Sequence, residues 1–558
     1  MNRLILFFLI LYCWGSKSQQ KNNLYGSFFS NGVYYGESED NDFNEDLRTN
    51  NYLKLDYLVG EKWNFDLQIE SYAIDGRLQN FSENLNGTFI STFSANYKIN
   101  NLKFSIGSIY DQFGSGLVFR TWEDRQLGIN NSIWGVRTTY STEKFNLTGL
   151  AGKQKKGKIN SDGFVYGFDA DLMLFENFDN YKSLNLGLSY VGRSEPEVEY
   201  SFNNLTSAIS ARVDYNSESF YINYEHVSKS KDGIVQFGSV NENFIKNGKA
   251  DLMNFGLFKS GFGLDINLRR MENMSFFSDR NEFGGDYLEA TLNYLPALTK
   301  QHDYLLTNIN VYVAQPNVSF QDPELMKSGE IGYQVDLFYN FKKGSPLGGK
   351  YGTKLSFNSA LWYNLGGNYD YNNQNYNTSF LDFDEKYFSE QSIELTKKFN
   401  NKYNATLLYV NRYYNKRFVE EKSGEVNSQI IVLDNTLKLG NKKSLKFDIQ
   451  HLSNDDDQKN WFGYGIEYNL NYNISVYHSN IVNYGNEVEG KPSYYSTGIS
   501  YSKNSTRLST SFGKERGGDK FLLRVFKNYP KFKRKCINRT AIARAICCNW
   551  ALSSDKSF

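Results

Sequence analysis

The sequence predicts an all-β protein: a single large antiparallel up-and-down transmembrane β-barrel of about 26 strands, within a range of about 24 to 28. Three observations carry this. Residues 63–70 read Trp-Asn-Phe-Asp-Leu-Gln-Ile-Glu, apolar and polar in strict turn, and the same two-residue beat recurs to about residue 513. The connections between beating segments are alternately short and long. The chain holds 42 Tyr, 43 Phe and 7 Trp against 7 Pro and 4 His, an aromatic density that needs a large apolar phase or a repeated interface.

The first 18 residues have the form of a secretory signal peptide: Asn2-Arg3, an apolar run from Leu4 to Trp14, and small Ser16 and Ser18 before a cut. Lipidation at Cys13 fits less well, because bulky Leu11 and Tyr12 precede it. After Trp14 no apolar stretch of about 18 residues exists, so no transmembrane helix is expected. The mean hydropathy of −0.56 resembles that of a soluble chain. In a barrel wall, however, lipid-facing and lumen-facing residues alternate and cancel in such an average. Cys13 aside, the first cysteine is Cys536, so an exported chain of this length is held by its fold and not by disulfides. A soluble chain of 558 residues is expected to divide into several domains, yet no break in composition precedes the C-terminal tail. The barrel is therefore assigned to residues 19–513.

Tight polar turns fall at residues 60–62, 100–101, 142–144, 216–218, 260–261, 400–401, 441–443, 471 and 504. Long polar stretches fall between them at residues 37–51, 75–87, 111–131, 152–163, 192–204, 229–249, 272–286, 316–329, 366–386, 412–427, 454–460 and 485–492. Outer-membrane barrels sort connections in this way, with short periplasmic turns and long external loops. Between them lie about 25 strands of roughly 9 to 12 residues, enough to cross a bilayer at a tilt. Clear cases are residues 89–99, 164–175, 184–190, 262–268, 288–294, 331–341, 403–409 and 445–451. A propeller is excluded because no repeated motif recurs at its period.

The parity of the strands requires one more strand, returning inward after residues 506–512. The tail at 514–558 is unlike the rest. Residues 514–544 hold 11 Lys or Arg against Glu515 and Asp519, a net of 11 − 2 = +9, so the remainder of the chain carries +1 − 9 = −8. The tail also holds Cys536, Cys547 and Cys548. Two readings stand: residues 521–526 or 541–552 close the barrel, or the chain after about residue 518 is a frame-shifted, non-native end.

The segment richest in chemistry is residues 110–131. Gly114 and Gly116 permit a backbone bend, while Asp111, Arg120, Glu123, Asp124 and Arg125 concentrate charges that cannot face lipid. They are candidates for a lumen constriction that selects solutes by charge and hydrogen bonding. The alternative is an ion-pair brace across a wide barrel. Gln112-Phe113-Gly114-Ser115-Gly116-Leu117, Phe119-Arg120, Glu123, Arg125 and Leu127-Gly128-Ile129 resemble the signature of a family of large Gram-negative outer-membrane barrels of unknown function. The resemblance extends to Gly517-Gly518, where this chain turns basic and the family continues into an apolar closing strand. It implies fold and outer-membrane location, and no activity.

Other chemistry is weak. His226, His302, His451 and His478 are scattered and sit in no nucleophile motif, so no enzyme activity and no cofactor are expected. His451 continues the apolar face of Leu445, Phe447 and Ile449 and reads as a wall position. Asp455, Asp456 and Asp457 are weak Ca²⁺ candidates without EF-hand spacing, and residues 39–42 are similar. Lys155, Lys156 and Lys158 make a basic loop near lipopolysaccharide phosphates; nucleic acid is not an expected partner. Expected partners are outer-membrane lipid and lipopolysaccharide, the barrel-assembly machinery, and an envelope protein or a polar or sugar solute. A TonB-type importer is disfavoured, since the strand pattern begins near Leu24 and leaves no room for a plug domain ahead of the barrel. Two function classes follow: a porin-like channel or transporter for polar solutes, or a non-conducting surface barrel that docks partners on its long loops.

Overall fold

The computed structural model describes residues 22–35, 47–72, 87–125, 129–177, 182–196, 204–236, 239–280, 290–320, 322–454, 456, 458–487, 490–515 and 518–527. The proposed signal peptide, much of the first two long loops, Leu127-Gly128, Asp455, Asp457 and residues 528–558 lie outside them.

Twenty-four strands form one antiparallel sheet in which each pairs with its neighbours in the chain. The first hairpin joins Asn23–Tyr35 to Leu47–Val59, with Phe28 opposite Leu53. The last strand, Gly518–Lys527, pairs with Thr506–Glu515 and then back onto the first strand, from Phe28↔Lys527 to Tyr35↔Lys520. The wall is thus an up-and-down barrel whose first and last strands meet, and its backbone pairing runs past residue 513 to 527.

Alternation sets which face each residue takes, and burial is inverted relative to a soluble protein. In strand Trp63–Tyr72, Gln68 and Glu70 are buried while Trp63 is exposed. Across the wall Ile90, Leu188 and Phe512 are exposed, whereas Arg193, Glu330 and Gln450 are fully buried. Lipid takes the apolar face. At the short-turn end an aromatic girdle stands where the bilayer meets water: Trp63 lies 5.7 Å from Phe65 and 4.5 Å from Tyr97, and Tyr339 packs on Phe341.

Two expectations are corrected. The stretches at 152–163, 229–249 and 366–386 are tall hairpins: Phe145–Lys156 with Ile159–Asn177, Phe220–Gln236 with Ser239–Lys259, and Thr353–Asp370 with Asn375–Lys398. Pairing persists beyond the membrane there, through register shifts such as those between Lys229 and Asp232 and between Tyr363 and Leu365. Residues 290–294, the described part of the stretch read as a wall strand at 288–294, are not in the wall. Strand Phe262–Glu272 pairs directly with Gly329–Phe341, and the described residues between them, 273–280, 290–320 and 322–328, lie off the wall. Their apolar side chains satisfy themselves inside the barrel, which a two-residue beat alone does not distinguish from facing lipid.

Burial along the strands is graded. In Glu425–Gly440 the inward residues are buried near the long-loop end and half-exposed toward the short turn, and Gly329–Phe341 shows the same trend from its first residues to its last. The lumen is therefore filled at the long-loop end and more open at the short-turn end.

Candidate functional site: a lumen packed by two infolded segments

The first infolded segment follows strand Leu102–Ile109 and returns to the wall at Ile133–Ser141, the two strands pairing directly. Gly114 and Gly116 turn it inward with φ of +54° and +96°, and the Gly116 amide donates to the Phe113 carbonyl at 3.0 Å. A Cβ on Gly114 would stand 2.5 Å from the Arg212 side chain. This turn drives Leu117, Val118 and Phe119 against Val165, Val191, Ala208, Val227 and Ala250, inward residues of consecutive strands. Small and β-branched wall side chains leave room for the incoming segment.

The second segment, residues 273–328, completes that core with Met274, Phe276, Leu292 and Ala314. Backbone bonds clip the two segments together. The Arg120 amide donates to the Leu292 carbonyl at 2.8 Å and the Tyr294 amide to the Gly116 carbonyl at 2.9 Å, while Asn293 Nδ2 reaches the Leu117 carbonyl at 3.1 Å.

Ion pairs then fasten the second segment around the inside of the wall. Arg280 Nε lies 2.6 Å from Asp232 Oδ1, which also takes Arg193 at 3.1 Å, and both arginines donate to Thr206 Oγ1. Farther along, Arg269 bridges Glu330 at 2.6 Å and the Pro296 carbonyl at 2.6 Å, and Tyr312 donates its hydroxyl to the same glutamate. Trp362 donates its indole N–H to the Leu298 carbonyl. Next, Arg412 holds Glu390 and the Ile309 carbonyl, His302 Nε2 lies 3.2 Å from Glu390, and Tyr304, Leu306 and Ile309 pack on Leu408, Val410, Ile430 and Val432. Lys327 donates to Gln315 Oε1 and the Phe418 carbonyl. Burial pushes its ammonium below the usual lysine range, with Glu421 opposing. Charges so deep persist because the arginines are paired with carboxylates and Lys327 is hydrogen-bonded.

The residues singled out in the sequence divide among these contacts. Asp111 pairs with Arg137 of the wall at 3.1 Å. Arg120 is buried with its guanidinium 4.0 Å from the Tyr294 ring centre and 5.8 Å from that of Trp122. Glu123 accepts from Gln68 and from Arg125 Nε at 3.2 Å, while Arg125 donates to Gln68 Oε1 at 2.6 Å. Asp124 is half-buried, paired along the backbone with Ile129. These five do not form one ring: Asp111, Glu123 and Arg125 join the infolded segment to the wall and Arg120 joins it to the second segment, while Asp124 pairs within it. Asp456 is described, and its amide donates to Asn454 Oδ1. Among the described residues no group of three or more His, Cys, Asp or Glu is placed to hold a metal. His226 faces Asp251, His451 faces Tyr484, and His478 faces Tyr464 and Thr497.

Sequence reading missed Arg193, Arg212, Arg269, Arg280 and Arg412. Arg212 pairs with Asp169 and Asp171, both at 2.8 Å. For Arg193, Arg212, Arg269 and Arg412 the signal was an arginine at an inward strand position, visible only once register was known, while Arg280 lies on the infolded segment. Also missed was a band of amides and carboxylates below the packed region. Asn185, Asp214, Asn223, Asn254, Asn267 and Gln334 stand opposite one another in register across six neighbouring strands. Asp265, opposite Asp336, lies nearer the short turns.

A family model described as a family of unknown function, DUF6029, matches residues 1–520. The chain belongs to that family. No curated protein matches the sequence. In fold, the DUF6029 chain is similar to the P pilus usher PapC translocation pore, at 10% identity and TM-score 0.44 over 91% of this chain and 100% of that one. It is similar also to an E. coli P pilus tip assembly intermediate, PapC-PapD-PapK-PapG, at 12% identity and TM-score 0.48 over 92% of this chain and 62% of that one. A third is Pseudomonas aeruginosa OccK8 (OprE), at 10% identity and TM-score 0.35 over 91% of this chain and 98% of that one.

Proposed function

We propose that this protein is an outer-membrane conduit for polar solutes, held shut by its own infolded segments and open to the periplasm below them. The observation that carries the reading is the amide and carboxylate band from Asn185 to Gln334, kept at the lumen face beneath an apolar plug. A purely structural filling has no use for such a lining; a solute path does, because amide and carboxylate groups replace the hydration of polar molecules. Asp214 and Asp265 on this inner face favour cations and hydroxylated solutes, beside Asp171 and Asp336, which pair with Arg212 and Lys300 at 2.8 Å each. The protein acts as a passage and not as a catalyst, which accords with histidines spread over separate strands and loops.

The test is conductance of the purified protein in planar bilayers under rising voltage. Rare, discrete, cation-selective openings are expected, with selectivity falling in the Asp265→Asn and Asp336→Asn double variant. Openings that prefer anions, or that ignore both substitutions, overturn the polar-path reading. A docking barrel is the second reading, favoured by one observation: Phe380, Leu381 and Phe383 are 63%, 74% and 53% exposed on the tallest external hairpin. Silence in the bilayer together with loss of partner capture on Leu381→Ser would support it.

A further inference from the structure

The short-turn end carries a one-sided charge pattern that the conduit reading does not use. Three consecutive turns hold ten lysines and no Asp or Glu: four lysines in residues 341–354, three in 396–405 and three in 437–445. These turns are neighbours in space, because the strands bearing them pair in sequence. Lys343, Lys350, Lys398, Lys402, Lys442 and Lys443 are all exposed. Elsewhere on this rim positive charge is sparser or offset: Glu61 adjoins Lys62, Glu143 adjoins Lys144, Glu218 stands at its turn without a lysine, and the turns at 100–101, 260–261 and 504–505 carry one or two flanking cations each, namely Lys98 and Lys103, Lys259, and Lys503 and Arg507.

The arc is also apolar at its tips. Leu347 is 66% exposed, Phe399 52% and Leu439 49%, and at the next turn Tyr472 is 78% exposed with Lys442 5.0 Å from its ring centre. Its geometry is fixed in advance. Residues 342–352 fold into a compact loop through Gly344 N to Gly349 O at 2.8 Å, Gly349 N to Ser345 O at 2.8 Å and Gly352 N to Gly348 O at 3.0 Å. Positive φ at Gly344, Gly349 and Gly352 allows this. Lys397 then crosses from the next turn to donate to the Leu347 carbonyl, the Gly348 carbonyl and Thr353 Oγ1. Lys350 and Lys398 both lie over Tyr351, at 5.6 and 5.9 Å. A loop so braced holds Leu347 out to water at a cost that a mere connection need not bear.

We propose that this arc is a docking platform for an acidic protein partner in the periplasm, one presenting carboxylates to the lysines and an apolar side chain to Leu347 and Phe399. Charge complementarity selects an acidic partner. The one-sidedness selects a protein over lipid: a leaflet surrounds the barrel evenly, whereas this arc occupies three turns and the turn at Glu218 repels anions. The proposal stands apart from the conduit reading, since it concerns the rim and not the lumen.

The full-length protein in nanodiscs of zwitterionic phosphatidylcholine is titrated with a fluorescent peptide alternating Glu and Leu, at several salt concentrations. Salt-dependent binding is expected, weakened about tenfold or more by the Lys343→Glu, Lys398→Glu and Lys442→Glu triple variant and by Leu347→Asp. Lys62→Glu with Lys144→Glu, on other turns, should leave it unchanged. Equal loss from that control pair would mean diffuse attraction and overturn the proposal, as would no binding by the wild type. Anionic phosphatidylglycerol nanodiscs provide the second arm. If the arc prefers lipid, the wild type loses peptide binding in these discs at every salt concentration, which also overturns it.

Discussion

Leu292→Ala tests whether the lumen filling is a separable unit. Leu292 is fully buried in the core shared by both infolded segments, and its carbonyl and amide bond to Arg120 and Phe276. Truncating a buried leucine costs about 2 to 5 kcal/mol, the upper end where the surroundings cannot collapse. Here much of that core is contributed by the stiff wall, which favours the upper half of that range. If opening of the plug is sub-global, the whole cost falls on that equilibrium, and at about 1.4 kcal/mol per decade the open population rises by roughly 300-fold to several thousand-fold. Hydrogen exchange on the protein in nanodiscs reads this directly. Amides at residues 292 and 294, which bond to Phe276 and Gly116, should lose protection while strands Tyr403–Asn415 and Glu425–Gly440 keep theirs. Equal loss of protection in plug and wall refutes the separable plug, and unchanged exchange at 292 and 294 refutes the packing argument.

Arg280→Ala leaves Asp232 and Glu195 without one cationic partner, and a loss of about 3 to 5 kcal/mol in plug retention is expected, seen as faster proteolysis of the plug. Replacing Gly114 by Ala meets both a φ of +54° and the Arg212 side chain, so about 1 to 3 kcal/mol of strain should expose residues 112–121 to exchange. Trp362→Phe removes the N–H donated to the Leu298 carbonyl and should cost about 1 to 3 kcal/mol in resistance to urea, more than an exposed Trp63→Phe, which should be nearly neutral.

The wall was legible in the sequence because a barrel strand constrains every residue twice: Trp63, Phe65, Leu67 and Ile69 against Asn64, Asp66, Gln68 and Glu70 admit only one assignment of faces. The filling was not legible. Residues 288–294 contain Leu288, Ala290, Leu292 and Tyr294 in a strand-like beat, and both lipid and an apolar lumen core accept such a segment. Likewise the charges at Asp111, Arg120, Glu123, Asp124 and Arg125 signalled a segment that avoids lipid, but their partners Arg137, Tyr294 and Gln68 lie on three different elements. The tall hairpins were misread as loops because strand pairing above the bilayer needs no apolar face, as in residues 375–386, where register shifts replace alternation.

The central claim is that the infolded segments alone close a polar passage. Conductance of a variant in which residues 290–328 are replaced by a short Gly-Ser linker, compared with the wild type in the same bilayer, tests it most directly. The account predicts a large, steady, cation-selective conductance where the wild type is mostly shut. A variant that inserts as a folded barrel and conducts no more than the wild type would contradict it.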